Sequence, residues 1–146
     1  MTNRTRTQTR LGRWTRAGMI LAAVGMTAVL MIAGRLRPDA RGYGTHQSLG
    51  LPPCSFRALT GSSCPTCGMT TAFAWFVRGR FGAAFASNPG GLFAASSCVG
   101  LIPWLLAGAT RGRPIGTKTL ENPVLTLIAV GMVVTLSAWT LRMFIE

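Results

Sequence analysis

Acidic residues are nearly missing from this chain: Asp39, Glu121 and Glu146 are its only carboxylates, and His46 is its only histidine. That leaves no paired acids for general acid–base work, and no Ser-His-Asp set is visible. None of the three acids falls in the middle of an apolar run, so a carboxylate proton relay inside a bilayer is not expected. No phosphate-cradling glycine loop and no internal repeat is present. Charge of any sign is scarce, at 12% of residues against about 25% in an ordinary soluble domain.

What the chain has instead is apolar surface, 49% of its 146 residues, gathered into long uncharged runs. A single soluble core would not need such runs. A bilayer does, because about 20 helical residues cross its hydrocarbon layer of roughly 30 Å. The expected fold is therefore all-α: a small helical integral membrane protein in the cell membrane, with spans at 17–34, 89–109 and 123–141. The first run, Ala17 to Gly34, is bounded by Arg16 and Arg35. It is long for a signal peptide and lacks an Ala-x-Ala cleavage site, so it reads as an uncleaved helix. Gly18, Ala22, Gly25 and Ala33 offer small residues for helix contact. Asn88-Pro89 and Asn122-Pro123 each read as a cap followed by a first helical residue. Pro103 is expected to kink the second span. Trp104 and Trp139 lie near span ends, where aromatic belts sit.

The cations are lopsided. Fifteen Lys and Arg against three acids give a formal net charge of +12. They are scattered around the apolar runs with no nucleic-acid motif, so the expected partners are the bilayer and its anionic lipid headgroups, not nucleic acid. A membrane protein partner or a second copy of the chain is compatible with the same pattern. Residues 1–16 read as a basic disordered tail ahead of one membrane domain at 17–146. The tail and the 110–122 connection carry eight cations between them, and the connection at 35–88 carries six. The positive-inside rule then puts the N-terminus in the cytoplasm and the long connection on the outer face.

That connection opens with a polar loop, 35–67, broken by Pro38, Gly42, Gly44, Gly50, Pro52, Pro53 and Gly61. A short helix is expected over 68–78, with Met69, Phe73 and Phe76 on one face. At 1.5 Å per residue it covers only about 15 Å, too short to span. It suits an interfacial or a re-entrant position, with Trp75 at headgroup depth and Arg78 and Arg80 in water.

Cys54, Cys64 and Cys67 lie in or beside this loop, in a C-x9-C followed by a C-x2-C. Three chemistries fit the pattern. Cys54, Cys64 and Cys67 with His46 supply the donor set of a closed structural zinc site, with Gly68 permitting the tight turn. Alternatively, Cys64-Pro-Thr-Cys67 at a helix start resembles the tetrad of thioredoxin-like oxidoreductases, with Cys64 attacking and Cys67 resolving. Alternatively again, two of the three form a disulfide that staples the loop, as an outer-face location allows. His46 also reads as an ordinary solvated histidine. Cys98, within the second span, reads as a small buried residue, and Thr70 and Thr71 as caps or interhelical hydrogen-bonding groups.

Cys54-x-Phe56, Leu59-Thr60-Gly61 and Cys64-Pro65-Thr66-Cys67-Gly68-Met69-Thr70 resemble the signature of the family called domain of unknown function 2752. The likeness continues through Ala72 to Val77, Arg78-Gly79-Arg80 and Asn88-Pro89, and covers about residues 49–107. It implies a small bacterial helical membrane protein and supplies no activity. Many members carry Thr-Arg-Ala after the cysteines, where this chain has Thr70-Thr71-Ala72, so a role for that arginine is not carried over. The expected function is a non-catalytic membrane protein whose cysteine loop is structural, metal-binding or a docking site. The alternative is a membrane thiol–disulfide oxidoreductase using Cys64 and Cys67. No cofactor other than zinc is a candidate. A pore would require several copies to enclose a path.

Overall fold

The computed structural model describes residues 10–113, 115 and 121–145. Every regular element among them is helical. Three helices are long and apolar enough to cross a bilayer: α1 (Arg13–Arg35), α5 (Pro89–Arg111) and α6 (Glu121–Ile145). Between the first two lie α2 (Ser55–Thr60), α3 (Met69–Phe76) and α4 (Phe81–Ser87), preceded by a 3-10 turn at Thr45–Leu49.

The long helices overrun their expected ends. α1 takes in Arg13 and Arg16, which the sequence reading leaves in the tail. Arginine is a good helix former, and tertiary contacts hold this start in place. Arg16 Nε donates to the Ala109 carbonyl at 2.6 Å, and the Leu11 N–H donates to Gly112 at 2.8 Å. The rest of the expected tail, residues 1–9, lies outside the described residues, as does Lys118. α5 begins where Asn88-Pro89 says it should and continues through Pro103 to Arg111. α6 already includes Glu121, and the cap expected of the Asn122 side chain lies outside what is described.

α1 and α5 form the tightest seam. Met19, Ala23, Leu105 and Ala109 are buried in it, with Leu11, Met26, Leu101 and Trp104 packed around them. Of the small residues expected to make helix contacts, only Ala33 is buried. A side chain added at Gly18 or Gly25 would meet nothing within 4 Å. The reason is phase: the face of α1 that meets α5 passes through positions 19, 23 and 26, one turn apart. α6 leans on α5 through small residues. A Cβ at Gly90 would overlap Thr135, and one at Gly131 would touch the Phe93 ring at 3.4 Å. None of the apolar window of α6 is fully buried within the chain, and Leu125, Ile128, Val130, Val133, Leu136 and Leu141 are exposed, as suits a lipid-facing side.

The connection is more ordered than its glycines and prolines imply. Gly44 and Gly50 bracket the 3-10 turn, and Gly61 ends α2, so these residues punctuate short helices without abolishing them. α3 packs against α1, α4 and α5, which favours the packed alternative over a helix lying free at the interface. Its buried face is Thr71, Ala72 and Ala74, whereas Met69, Phe73 and Phe76 are only half-buried. Small side chains let α3 approach α5 closely: a Cβ at Gly91 would sit 2.8 Å from Ala72 Cβ. Arg78, expected in water, is exposed yet also ties two elements together. Its guanidinium donates to the carbonyls of Ala33 (3.3 Å), Gly34 (3.1 Å) and Leu36 (2.6 Å) at the end of α1, and to Ala74. It thus satisfies carbonyls that the helix end leaves open. Arg80 lies over the Trp75 ring, 5.1 Å from its centre.

Candidate functional site

The cysteine segment sits across one end of the bundle, held by directed hydrogen bonds from the start of α5 and from α6. Asn88 contributes most. Its side-chain oxygen accepts from Gly91 N–H at 2.9 Å, capping α5, while its Nδ2 donates to the Pro65 carbonyl (3.1 Å) and the Cys67 carbonyl (3.0 Å). One buried amide therefore starts a long helix and fixes the Cys64–Cys67 turn. Trp139 Nε1, on α6, donates to Ser63 at 2.7 Å. Arg142, one turn further along, donates to the Ala86 and Ser87 carbonyls, each at 3.1 Å. The end of α6 is thus on the same side as the cysteine loop.

Gly68 joins the turn to α3 at φ +84°, a conformation that glycine adopts without a side-chain clash. Space is as restrictive as torsion. A Cβ there would lie 2.5 Å from the Ser87 carbonyl oxygen and 2.6 Å from that of Gly42. Beneath the turn, the fully buried Thr71 shares a 2.8 Å hydrogen bond with Thr45 Oγ1, which also accepts from Asp39 N–H at 3.0 Å. Thr71 occupies the position where the family resemblance puts an arginine in many members.

All four cysteines are free thiols, and the three in the segment are half-buried. Among the described residues the hydrogen bond between thiols joins Cys54 and Cys64, not the C-x2-C pair: the Cys54 thiol donates to Cys64 Sγ at 3.5 Å. The Cys64 sulfur is also within 3.4 Å of Thr66 Oγ1. Burial acts to raise the Cys64 thiol. Hydrogen bonds from the Thr66 hydroxyl, the Cys54 thiol and the backbone N–H groups of Thr66 and Cys67 outweigh it, and hold the group below its ordinary value. Cys67 behaves in the opposite way. Burial pushes it up, the nearby Cys64 adds to that, and a hydrogen bond from Arg57 only partly offsets them. Expected buried, Cys98 is half-buried on α5.

His46 Nε2 lies 3.2 Å from the Pro52 carbonyl. Together with Cys54 and Cys67 it lines a cavity of about 230 Å³. Among the described residues, no three His, Cys, Asp or Glu side chains are gathered closely enough to hold a metal ion. A zinc site built from the expected donors would therefore need His46 and the thiols to close on one another.

The sequence reading passed over Tyr43 and Arg57, which organise the same end. The Arg57 guanidinium stacks on Tyr43, 3.9 Å from the ring centre, and its Nη1 donates to Ser63 Oγ at 2.8 Å. Arg41 lies on the same ring at 5.2 Å and forms a forked ion pair with Asp39, closest at 2.7 Å. The Arg41 hydrogen bonds hold the Asp39 carboxyl well down, at about 2. Nothing in the linear spacing of 41, 43 and 57 announces this cluster. The only usable signal was three basic or aromatic residues flanking the cysteines.

No curated protein and no solved structure matches the chain. A family model does match, over residues 54–102, from the first cysteine of the segment through most of α5. This is narrower than the expected 49–107, but it contains α2, the Cys64–Cys67 turn, α3, α4 and the Asn88 cap. Over residues 54–102 the chain is similar to the family described as Protein of unknown function (DUF2752).

Proposed function

We propose that this is a non-catalytic, multi-pass protein of the cell membrane whose cysteine segment caps the outer end of the bundle and closes as a Cys54–Cys64 clasp. The observation that carries the reading is the 3.5 Å approach of Cys54 Sγ to Cys64 Sγ, with Cys64 biased toward its thiolate. Closing the clasp is thiol–disulfide exchange with a small disulfide, RSSR. The Cys64 thiolate attacks one sulfur and releases RS⁻. Cys54, giving up its proton, then attacks Cys64 Sγ and releases the second RS⁻. Two thiols of the protein are oxidised, one disulfide is reduced to two RSH, and protons balance. A disulfide at this place would join α2 to the turn before α3, and an outer-face location permits it. The orientation rests on the arginines. With Arg142 on the cysteine side, the cytoplasmic side leads by eight cations to seven, and the basic N-terminus precedes the first helix.

The oxidoreductase alternative draws support from the same depressed Cys64 thiol, which suits an attacking group. The raised Cys67 thiol is a poorer resolving group than Cys54. Thiol counting with peptide mapping, after exposure of the full chain in detergent to oxidised glutathione, separates the readings. The clasp predicts loss of two thiols mapped to Cys54 and Cys64. A Cys64–Cys67 bond, or no loss, would sink it. In iodoacetamide alkylation across pH, Cys64 should reach half its maximal rate below pH 9.0 and at lower pH than Cys67. Near-stoichiometric zinc that disappears in Cys64→Ser would favour the metal site over the clasp. Thiol labelling only from the cytoplasmic side would refute the orientation.

A further inference from the structure

Beside the cysteines, a cavity of about 350 Å³ opens at the same end of the bundle. Its chemistry is set by Arg41, Arg57 and Arg142, with Tyr43, Ser63 and Ser87 between them. The volume falls at the small end of the roughly 300–1,000 Å³ range of ligand pockets. Asp39 neutralises Arg41. Arg57 hydrogen-bonds to Ser63 Oγ and to the Cys67 thiol, whose pKa is raised, and Arg142 to the carbonyls of Ala86 and Ser87, so none of these partners is a carboxylate. Among the described residues neither forms a salt bridge, so within them the cavity wall carries two positive charges without a carboxylate partner.

Both guanidiniums are also pre-positioned. Arg57 lies over the Tyr43 ring, 3.9 Å from its centre, and Arg142 is anchored by two carbonyls. An arginine held in this way loses less freedom when it binds, and its fork matches an oxyanion with two donors at once. Depth adds the second argument. Arg142 stands in the last turn of α6, a helix long and apolar enough to cross the bilayer. A bilayer-spanning α6 would bring the cavity mouth near the level of lipid phosphates.

We propose that Arg57 and Arg142 form a binding site for a phosphate oxyanion, carried either by an anionic lipid headgroup or by a small soluble phosphate. The site is independent of the thiol clasp and would stand if the clasp failed. Its test is accordingly run with all thiols reduced.

The test is thermal unfolding of the full chain with two probes. Inorganic phosphate is titrated against chloride at matched ionic strength in a neutral detergent. In parallel, nanodiscs containing phosphatidylglycerol are compared with nanodiscs of phosphatidylcholine alone. Binding predicts a rise in Tm with at least one probe. A response to phosphatidylglycerol only identifies the lipid as the source, and a response to inorganic phosphate only identifies a soluble ligand. R57Q and R142Q should each weaken the response about tenfold, the loss expected of one charged hydrogen-bonding group. R37Q, an equal charge change at the same end but outside the cavity, should leave it intact. R57K and R142K keep the charge and guard against misfolding; each should retain part of the response. No response to either probe would overturn the site, and so would an equal loss in R37Q.

Discussion

The two best-packed parts of the molecule are held by different forces. The α1–α5 seam is apolar and close: Met19, Ala23, Leu105 and Ala109 meet with few polar groups between them. The cysteine cap is polar and directional, resting on Asn88, Trp139, Arg142 and Arg78 aimed at backbone carbonyls. In lipid the seam gains little from hydrophobic transfer, because lipid tails are as apolar as the side chains, so its specificity lies in shape. The cap is made of loop backbone, whose carbonyls gain partners one by one. The Asn88 and Trp139 bonds fix the turn that carries Cys64 and Cys67, whereas Arg142 and Arg78 fasten the ends of α4 and α1 beside it. The seam sets where the helices are, and the cap sets where the chemistry is.

The largest break should come from Gly68→Ala. The change forces a side chain into φ +84° and against the Ser87 and Gly42 carbonyls. A cost of about 3 kcal/mol is expected from left-handed strain plus overlap, read as a lower unfolding temperature in detergent and faster alkylation of all three loop cysteines. Asn88→Ala comes next, at about 2 kcal/mol for a lost cap and two lost carbonyl bonds. Its signature is regional: Cys67 alkylation should accelerate while the α1–α5 contact persists, as measured by cross-linking of that pair. Unchanged Cys67 reactivity would show that the amide caps α5 and does nothing for the turn. The smallest effect belongs to the seam. Ala23→Leu should cost about 1–2 kcal/mol by overpacking and leave thiol reactivity as it was. If it altered the cysteines as much as Asn88→Ala, the two regions would be one cooperative unit and the contrast would fail.

Much of the architecture was legible. Three uncharged runs announced three long helices, and Asn88-Pro89 located the start of α5 to the residue. Gly68 was legible as a turn glycine, although its close carbonyl neighbours were not. The helix ends were less clear, because Arg13 and Arg16 look like tail until Ala109 and Gly112 supply partners. On α3 the periodic Met69, Phe73 and Phe76 drew attention, yet Thr71, Ala72 and Ala74 do the packing. A hydrophobic stripe identifies the buried face only when the surroundings are water. Beside other helices, the face that packs is the one whose small residues allow approach.

The sequence by itself determined the class of protein, the number of long apolar helices, the turn at Gly68 and the stretch in which the cysteines cluster. These follow from local properties: run length, missing charge, and the backbone freedom of one glycine. Only the tertiary structure decided that the Cys54 thiol bonds to Cys64, and that Arg57 and Arg142 share a cavity. Both are pairings across separate elements. They depend on how Asn88 and Trp139 fasten the loop to the bundle and Arg142 fastens the end of α4 to α6, and no spacing along the chain encodes those distances.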